Sequence, residues 1–145
     1  MRHTIKKEYE SKFSPFTRSK YDENLQSMKN QSLSRRLHNA LEGIKASWQS
    51  EKSFRLHVAA VLFVIIVLTL TKPAAVWWAL LLLTSGLVIT LELVNTGIEK
   101  LTDHLHPHQH LTVKIVKDTL AGAVFLASLF AVCVFIAFIV SLMGL

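Results

Sequence analysis

The chain has 145 residues, of which 51% are hydrophobic, with a formal net charge of +6 and a mean hydropathy of +0.38. That length is one domain's worth of chain, and the composition is too apolar for an ordinary water-soluble domain. We therefore expect an integral membrane protein. Most of the 16 lysines and arginines precede His57, which by the positive-inside rule predicts a cytoplasmic N-terminus. Because spanning segments explain this charge asymmetry, we do not expect a nucleic-acid partner.

Cysteine content and residue patterning narrow the class further. Cys133 is the only cysteine, which excludes an intramolecular disulfide and a cysteine-based zinc site. Its apolar surroundings favour a packing role. No cleavable signal peptide is predicted, because the first apolar run follows a long, mostly polar stretch. No segment shows the alternation of a strand, so the fold is predicted to be all-helical.

Two segments precede the apolar part of the chain. Residues 1–32 mix charged and small polar residues without helical periodicity, which predicts a basic, mobile tail near an anionic membrane surface. Apolar residues then recur three or four positions apart, at Leu33, Leu37, Leu41, Ile44 and Trp48. Basic residues lie between them, so we predict an amphipathic surface helix over 33–53.

Three apolar runs predict three membrane spans, at about 54–72, 74–103 and 118–143, within a membrane domain over 33–145. The Lys72-Pro73 pair marks a tight break between the first two. A polar segment returns the chain to the cytoplasm before the third. The predicted topology has the N-terminus inside and the C-terminus outside.

The second span ends in a polar stripe made of Glu92, Asn95, Glu99 and Asp103. Spacings of three and four residues place these side chains on one face of a helix. Ionisable groups at membrane depth are costly, and they usually mark a functional path. Three helices can hardly bury such a stripe alone, so we expect self-association.

Polar groups from three segments are expected at one level of the bilayer: Glu51 before the first span, Glu92, Glu99 and Asp103 on the second, and Lys117 with Asp118 opening the third. Carboxylates suit Mg²⁺, which binds them together with substrate phosphates, and Lys117 suits polyphosphate as a point charge. The sequence has no Walker motif and no glycine-rich loop.

Glu92 is the deepest of these acids, because it follows a long uncharged run. It is therefore the candidate general base for a lipid hydroxyl. The alternative is a polar contact between helices that holds an oligomer together. The companion acids at helical spacing favour the catalytic role.

Histidines occupy alternate positions of the loop after the second span, at His104, His106, His108 and His110. Imidazole suits zinc or nickel, but alternate spacing in a proline-containing loop provides no evident chelating geometry. We favour a solvated, pH-responsive turn, and a metal site stays open as the alternative.

Two segments carry a family resemblance. ELVNTGIEKLTD at 92–103 and VKIVKDTLAGAVFLAS at 113–128 closely resemble the signature of the prokaryotic diacylglycerol kinase family, which includes the undecaprenol kinases. GIKASWQSEKSFR at 43–55 resembles the surface-helix segment of that family. The resemblance extends over about residues 36–137, with the same order of three spans.

The resemblance implies a small homotrimer in the bacterial inner membrane, with active sites between subunits. Such an enzyme would use ATP with Mg²⁺ to phosphorylate diacylglycerol to phosphatidic acid at the cytoplasmic interface. Undecaprenol is the alternative lipid. By the same resemblance Glu92 is the catalytic base, and Glu51 and Glu99 bind the metal. The nucleotide-binding positions are then Asn95, Glu99, Asp103, Lys117 and Asp118.

The sequence departs from the family pattern at His57, where FRLH replaces the frequent FRxE, so the role of that acid is open. TLAGAV at 119–124 is closer to the form of undecaprenol kinases than to that of enteric diacylglycerol kinases. Both lipids therefore remain candidates. A second alternative is a non-catalytic membrane module, in which the acidic stripe sets helix packing or conducts protons.

Overall fold

The computed structural model describes residues 31–106, 108 and 110–144. These residues contain four helices and no strand, which confirms the all-helical prediction. The helices are α1 at Leu33–Ser50, α2 at Lys52–Thr71, α3 at Ala75–Leu105 and α4 at Leu111–Leu142. The predicted mobile tail, apart from its last two residues, lies outside the described residues.

Helices α2, α3 and α4 are each long and apolar enough to cross a membrane, so the three predicted spans are confirmed as span-length helices. Their outward side chains are largely apolar, with Leu70 77% and Leu83 71% exposed. In water such exposure would be unfavourable. In hydrocarbon it is the expected surface of a spanning helix.

The chain divides into a unit up to Glu42 and a second unit from Gly43 onward. In the first unit, Leu33, Leu37 and Leu41 are exposed, and the side-chain amide of Asn39 donates to Gln31 at 3.0 Å. That α1 lies as an amphipathic helix on a membrane surface stays a prediction.

In the second unit α3 is the central helix, packed against both α2 and α4. Three fully buried side chains, Leu68, Leu81 and Phe138, come one from each long helix. The ring of Trp77 lies 5.5 Å from that of Phe138. This apolar cluster lies toward the start of α3, about 16 Å along the helix from Glu92 at 1.5 Å per residue.

A tight turn joins α2 to α3. Lys72 has φ +46° and ψ +52°, in the left-handed region, and its N–H donates to the carbonyl of Leu68 at 3.0 Å. Pro73 follows, and it cannot continue the helix. The turn therefore ends α2 and lets α3 begin at Ala75.

Helix α4 begins at Leu111, before the predicted start at 118. Nδ1 of His110 accepts a hydrogen bond from the N–H of Thr112 at 3.2 Å, which caps the first turn. Hydropathy predicted only the uncharged part of α4. The His110 cap allows the helix to begin earlier, within the polar segment that precedes that part. Lys117 and Asp118 therefore lie inside α4, beyond its first turn.

Candidate active site

Polar residues follow one side of α3, and their exposure increases along the helix. Glu92 is 4% exposed, Asn95 and Glu99 are half-buried, and Asp103 is exposed. They share a face because a helix repeats about every 3.6 residues. The stripe therefore runs from an acid inside the helix packing to an acid at the surface.

Lys117 of α4 reaches the outer part of this stripe. Its Nζ donates a hydrogen bond to Oδ1 of Asp103 and lies 3.7 Å from Oε1 of Glu99. The packing of α4 on α3 thus brings together three residues that the sequence assigned to one site. Exposed ion pairs contribute little to stability, so we relate this cluster to binding.

Glu92 has charged neighbours from two helices. His57 and Glu51, near the start of α2, and Glu99 on α3 are close enough to interact electrostatically with its carboxyl group. Glu51 precedes α2 as its N-cap residue, yet its side chain accepts no capping hydrogen bond. The Glu51 carboxylate therefore does not cap the start of α2.

A polar pocket of about 610 Å³ lies next to Lys117. Its polar lining consists of Asp103, His106, His108, His110, Lys114, Lys117 and Asp118. The rings of His106 and His110 lie 6.0 Å apart, and the four predicted loop histidines are all exposed. Lys114 and Lys117 provide positive charge in a pocket that is open to solvent, which suits a polar anionic ligand.

An apolar pocket of about 340 Å³ is lined by residues of all three long helices, among them His57, Val88 and Ser128. Val88 lies one helical turn before Glu92, and His57 interacts with Glu92. The lining of the pocket thus ends about one helical turn from the buried acid. Its lining is compatible with a hydrocarbon chain.

The sequence model of the family described as prokaryotic diacylglycerol kinase matches residues 38–139. The chain belongs to this family. The match confirms the resemblance seen over residues 36–137. It places the chain in a family of lipid kinases, and the three span-length helices agree with a membrane location.

Several relatives have names of the same kind. A Synechocystis diacylglycerol kinase is 38% identical over 96 residues, which cover 66% of this chain and 55% of that protein. A Bacillus subtilis undecaprenol kinase is 35% identical over 82 residues, 57% of this chain and 67% of that protein. A Helicobacter pylori diacylglycerol kinase is 32% identical over 89 residues, 61% and 70% respectively. The matched part thus spans little more than half of the Synechocystis protein.

The residues of this family member can be tested for their fit to Mg²⁺. Over residues 31–106, 108 and 110–144, no three His, Cys, Asp or Glu side chains converge closely enough to hold a metal ion. Mg²⁺ that arrives with a nucleotide needs only one or two carboxylates, because phosphates and waters complete its shell. Glu51 and Glu99 supply oxygen donors of that kind. They fit a metal shared with phosphates and do not form a closed protein site.

Four predicted site residues make no side-chain hydrogen bond or ion pair with the others in the described chain: Glu51, Glu92, Asn95 and Asp118. Asn95 is half-buried on the stripe, and Asp118 lines the polar pocket beside Lys117. Their assignment to nucleotide binding stays a prediction.

Sequence reasoning missed Thr96. Its side chain is 2% exposed and lies between Glu92 and Glu99 on α3. Its hydroxyl is buried without a hydrogen-bond partner in the described chain. The spacing could have indicated Thr96, since residue 96 lies on the same helix face as the stripe. Threonine is common in spanning helices, however, so the residue type alone does not mark it as a site residue.

Proposed function

We propose that the chain is an ATP-dependent lipid kinase that phosphorylates diacylglycerol to phosphatidic acid. The observation that carries this proposal is a buried acid on α3, Glu92, followed on the same face by Glu99 and Asp103, which Lys117 of α4 contacts. A buried base beside apolar surface suits a lipid hydroxyl. A cation and carboxylates nearer the surface suit a nucleotide with its metal.

The chemistry assigns each group one task. Glu92 accepts the proton of the lipid hydroxyl, whose oxygen attacks the γ-phosphorus in line. The bond from that phosphorus to the β,γ-bridging oxygen breaks, and ADP leaves with the electron pair. Lys117 binds phosphate oxygens, with Asn95, Asp103 and Asp118 beside the nucleotide. Glu51 and Glu99 would hold Mg²⁺, which when bound offsets charge on the β- and γ-phosphates.

The acceptor is a lipid alcohol with a long hydrocarbon part, which the apolar pocket beside Glu92 is suited to hold. Relatives are called diacylglycerol kinase and undecaprenol kinase. We choose diacylglycerol because it names the family that matches the chain. Undecaprenol is the alternative acceptor.

The proposal includes location and assembly. The basic N-terminal part of the chain supports a cytoplasmic N-terminus in the bacterial inner membrane. Phosphate transfer then takes place at the cytoplasmic interface, where ATP is available. A homotrimer with active sites between subunits is part of the proposal, and it is supported by the resemblance over residues 36–137.

The test is label transfer from radioactive γ-phosphate of Mg-ATP to diacylglycerol or undecaprenol, with the purified chain in lipid bilayers. Wild type should label one lipid. Glu92→Gln keeps the shape but removes the base, so we expect a loss of about 10²-fold to 10⁴-fold in kcat. Glu42→Gln, a matched change on α1, should leave kcat unaltered.

Size-exclusion chromatography of each variant separates catalysis from assembly. Glu92→Gln should elute as wild type does. If wild type labels neither lipid, the kinase proposal is wrong. If Glu92→Gln turns over at the wild-type rate, the role of general base is wrong. Loss of assembly by Glu92→Gln together with an inactive wild type would favour the non-catalytic membrane module.

A further inference from the structure

Thr96 has the one buried side-chain oxygen or nitrogen without a hydrogen-bond partner among the described residues. The residue is 2% exposed and lies four positions after Glu92 and three before Glu99 on α3. These spacings put all three side chains on the same side of the helix. A polar atom buried without a partner is rare in proteins, and it calls for an explanation.

Several other helical hydroxyls of the described chain make a local hydrogen bond. Six of them donate to the carbonyl four residues earlier, at 2.7–2.9 Å: Thr69, Thr71, Thr84, Thr90, Thr119 and Ser128. The same bond is open to any threonine inside a helix. For Thr96 the acceptor would be the carbonyl of Glu92, yet that bond is not made. Its hydroxyl therefore does not use the kind of acceptor that these other hydroxyls use.

The surroundings of this hydroxyl indicate its ligand. Glu92, on one side, is the proposed base that faces the lipid hydroxyl. Glu99, on the other side, is the proposed metal acid and is joined through Lys117 to the polar pocket. In a transfer from nucleotide to lipid, the γ-phosphoryl group must lie between these two positions. A lone hydroxyl there can donate a hydrogen bond to a phosphoryl oxygen.

We propose that the Thr96 hydroxyl donates a hydrogen bond to the phosphoryl group during its transfer to the lipid oxygen. The inference rests on the proposed function and adds a catalytic residue to it. The bonds formed and broken are those already described, and Thr96 keeps its own proton throughout. A donor aimed at developing charge in a site shielded from water stabilises the transition state more than the ground state. In the free protein the hydroxyl is buried and unpaired, so it has no hydrogen bond to give up when the phosphoryl group arrives.

The test compares Thr96→Val, Thr96→Ser and the control Thr90→Val. Valine keeps the shape of threonine and removes the hydroxyl, so kcat should fall about 100-fold, as on removal of one oxyanion donor. KM for ATP and for the lipid should change little, because the bond matters in the transition state. Thr96→Ser keeps the donor and should retain most of the turnover. Thr90→Val loses only a local bond to Gly86 and should act as wild type.

Thermal denaturation and chromatography of the same variants provide a readout that does not depend on turnover. Exchange of an unpaired buried hydroxyl for a methyl group is expected to be neutral or stabilising. Thr96→Val should therefore keep its assembly and its melting temperature. Loss of either would show that the hydroxyl holds helices together, and would overturn the inference.

Two further outcomes are distinguishable. If wild type transfers phosphate and Thr96→Val has the same kcat, the Thr96 inference is wrong and the kinase proposal stands. If wild type transfers no phosphate to either lipid, the kinase proposal fails, and the inference fails with it.

Discussion

Glu92 and Lys117, on the packed helices α3 and α4, differ in their burial and in their neighbours. Glu92 is 4% exposed and interacts electrostatically with Glu51, His57 and Glu99. Lys117 lies nearer the surface and is shared by Glu99 and Asp103. A buried acid is suited to proton transfer, and a surface cation to phosphate. The two ends of the stripe are therefore suited to different chemical tasks.

At the residue scale, we predict that Lys117→Met weakens the binding of Mg-ATP about tenfold to a hundredfold, the range expected for loss of one hydrogen bond to a charged group. The remaining acids, Glu99 and Asp103, would then repel the nucleotide. Equilibrium binding of a non-hydrolysable ATP analogue measures the effect. Lys72→Met removes the same charge at the other end of α3 and should bind as wild type. Equal affinity for the two variants would exclude Lys117 from the nucleotide site.

At the scale of elements, the turn between α2 and α3 concentrates backbone strain. Lys72 adopts φ +46°, a conformation that costs a residue with a side chain but suits glycine. It also precedes Pro73, which disfavours helical conformations in the residue before it. The structure keeps Lys72 there because its N–H ends α2 on the carbonyl of Leu68. The strained backbone at Lys72 thus allows the chain to reverse direction within a short turn.

This strain predicts that Lys72→Gly is more stable than Lys72→Met by about 1 kcal/mol. Both variants lose the lysine charge, and only glycine relieves the left-handed backbone. Thermal denaturation in one detergent should thus show a higher midpoint for the glycine variant. Kinase activity should be the same for both, since the turn is distant from Glu92. A lower midpoint for Lys72→Gly would contradict this account of the turn.

At the scale of the whole molecule, orientation decides whether the polar pocket can meet ATP. The α2–α3 turn and the α3–α4 loop lie at opposite ends of α3. If α3 crosses the membrane, the turn and the loop face different sides. The positive-inside rule assigns the loop, with its pocket of histidines and Lys117, to the cytoplasm.

Cysteine labelling tests this orientation. In a Cys133→Ala background, Ala74→Cys should react with a membrane-impermeant maleimide on intact cells. His108→Cys should react only after permeabilisation, because the proposed topology puts it on the cytoplasmic side. Wild type, whose Cys133 lies within α4, is a separate control and should resist the aqueous reagent in both conditions. The reverse pattern for the two introduced thiols would place the pocket away from cytoplasmic ATP.

The sequence by itself determined the helical class, the three spans and the shared face of Glu92, Glu99 and Asp103. These features depend on local hydropathy and on the period of the helix, and both can be read from a single segment of the sequence. The start of α4 at Leu111 could not be predicted from hydropathy, because it depends on the cap made by His110.

Only the tertiary structure decided which groups meet. It brought Lys117 onto Glu99 and Asp103 and left the Thr96 hydroxyl without a hydrogen-bond partner. It also put His57 close enough to Glu92 for an electrostatic interaction. Each of these depends on how one helix packs and rotates against another, which periodicity within a single helix cannot specify. The stripe was therefore predictable as a pattern, whereas its partners and its unpaired hydroxyl required the packed helices.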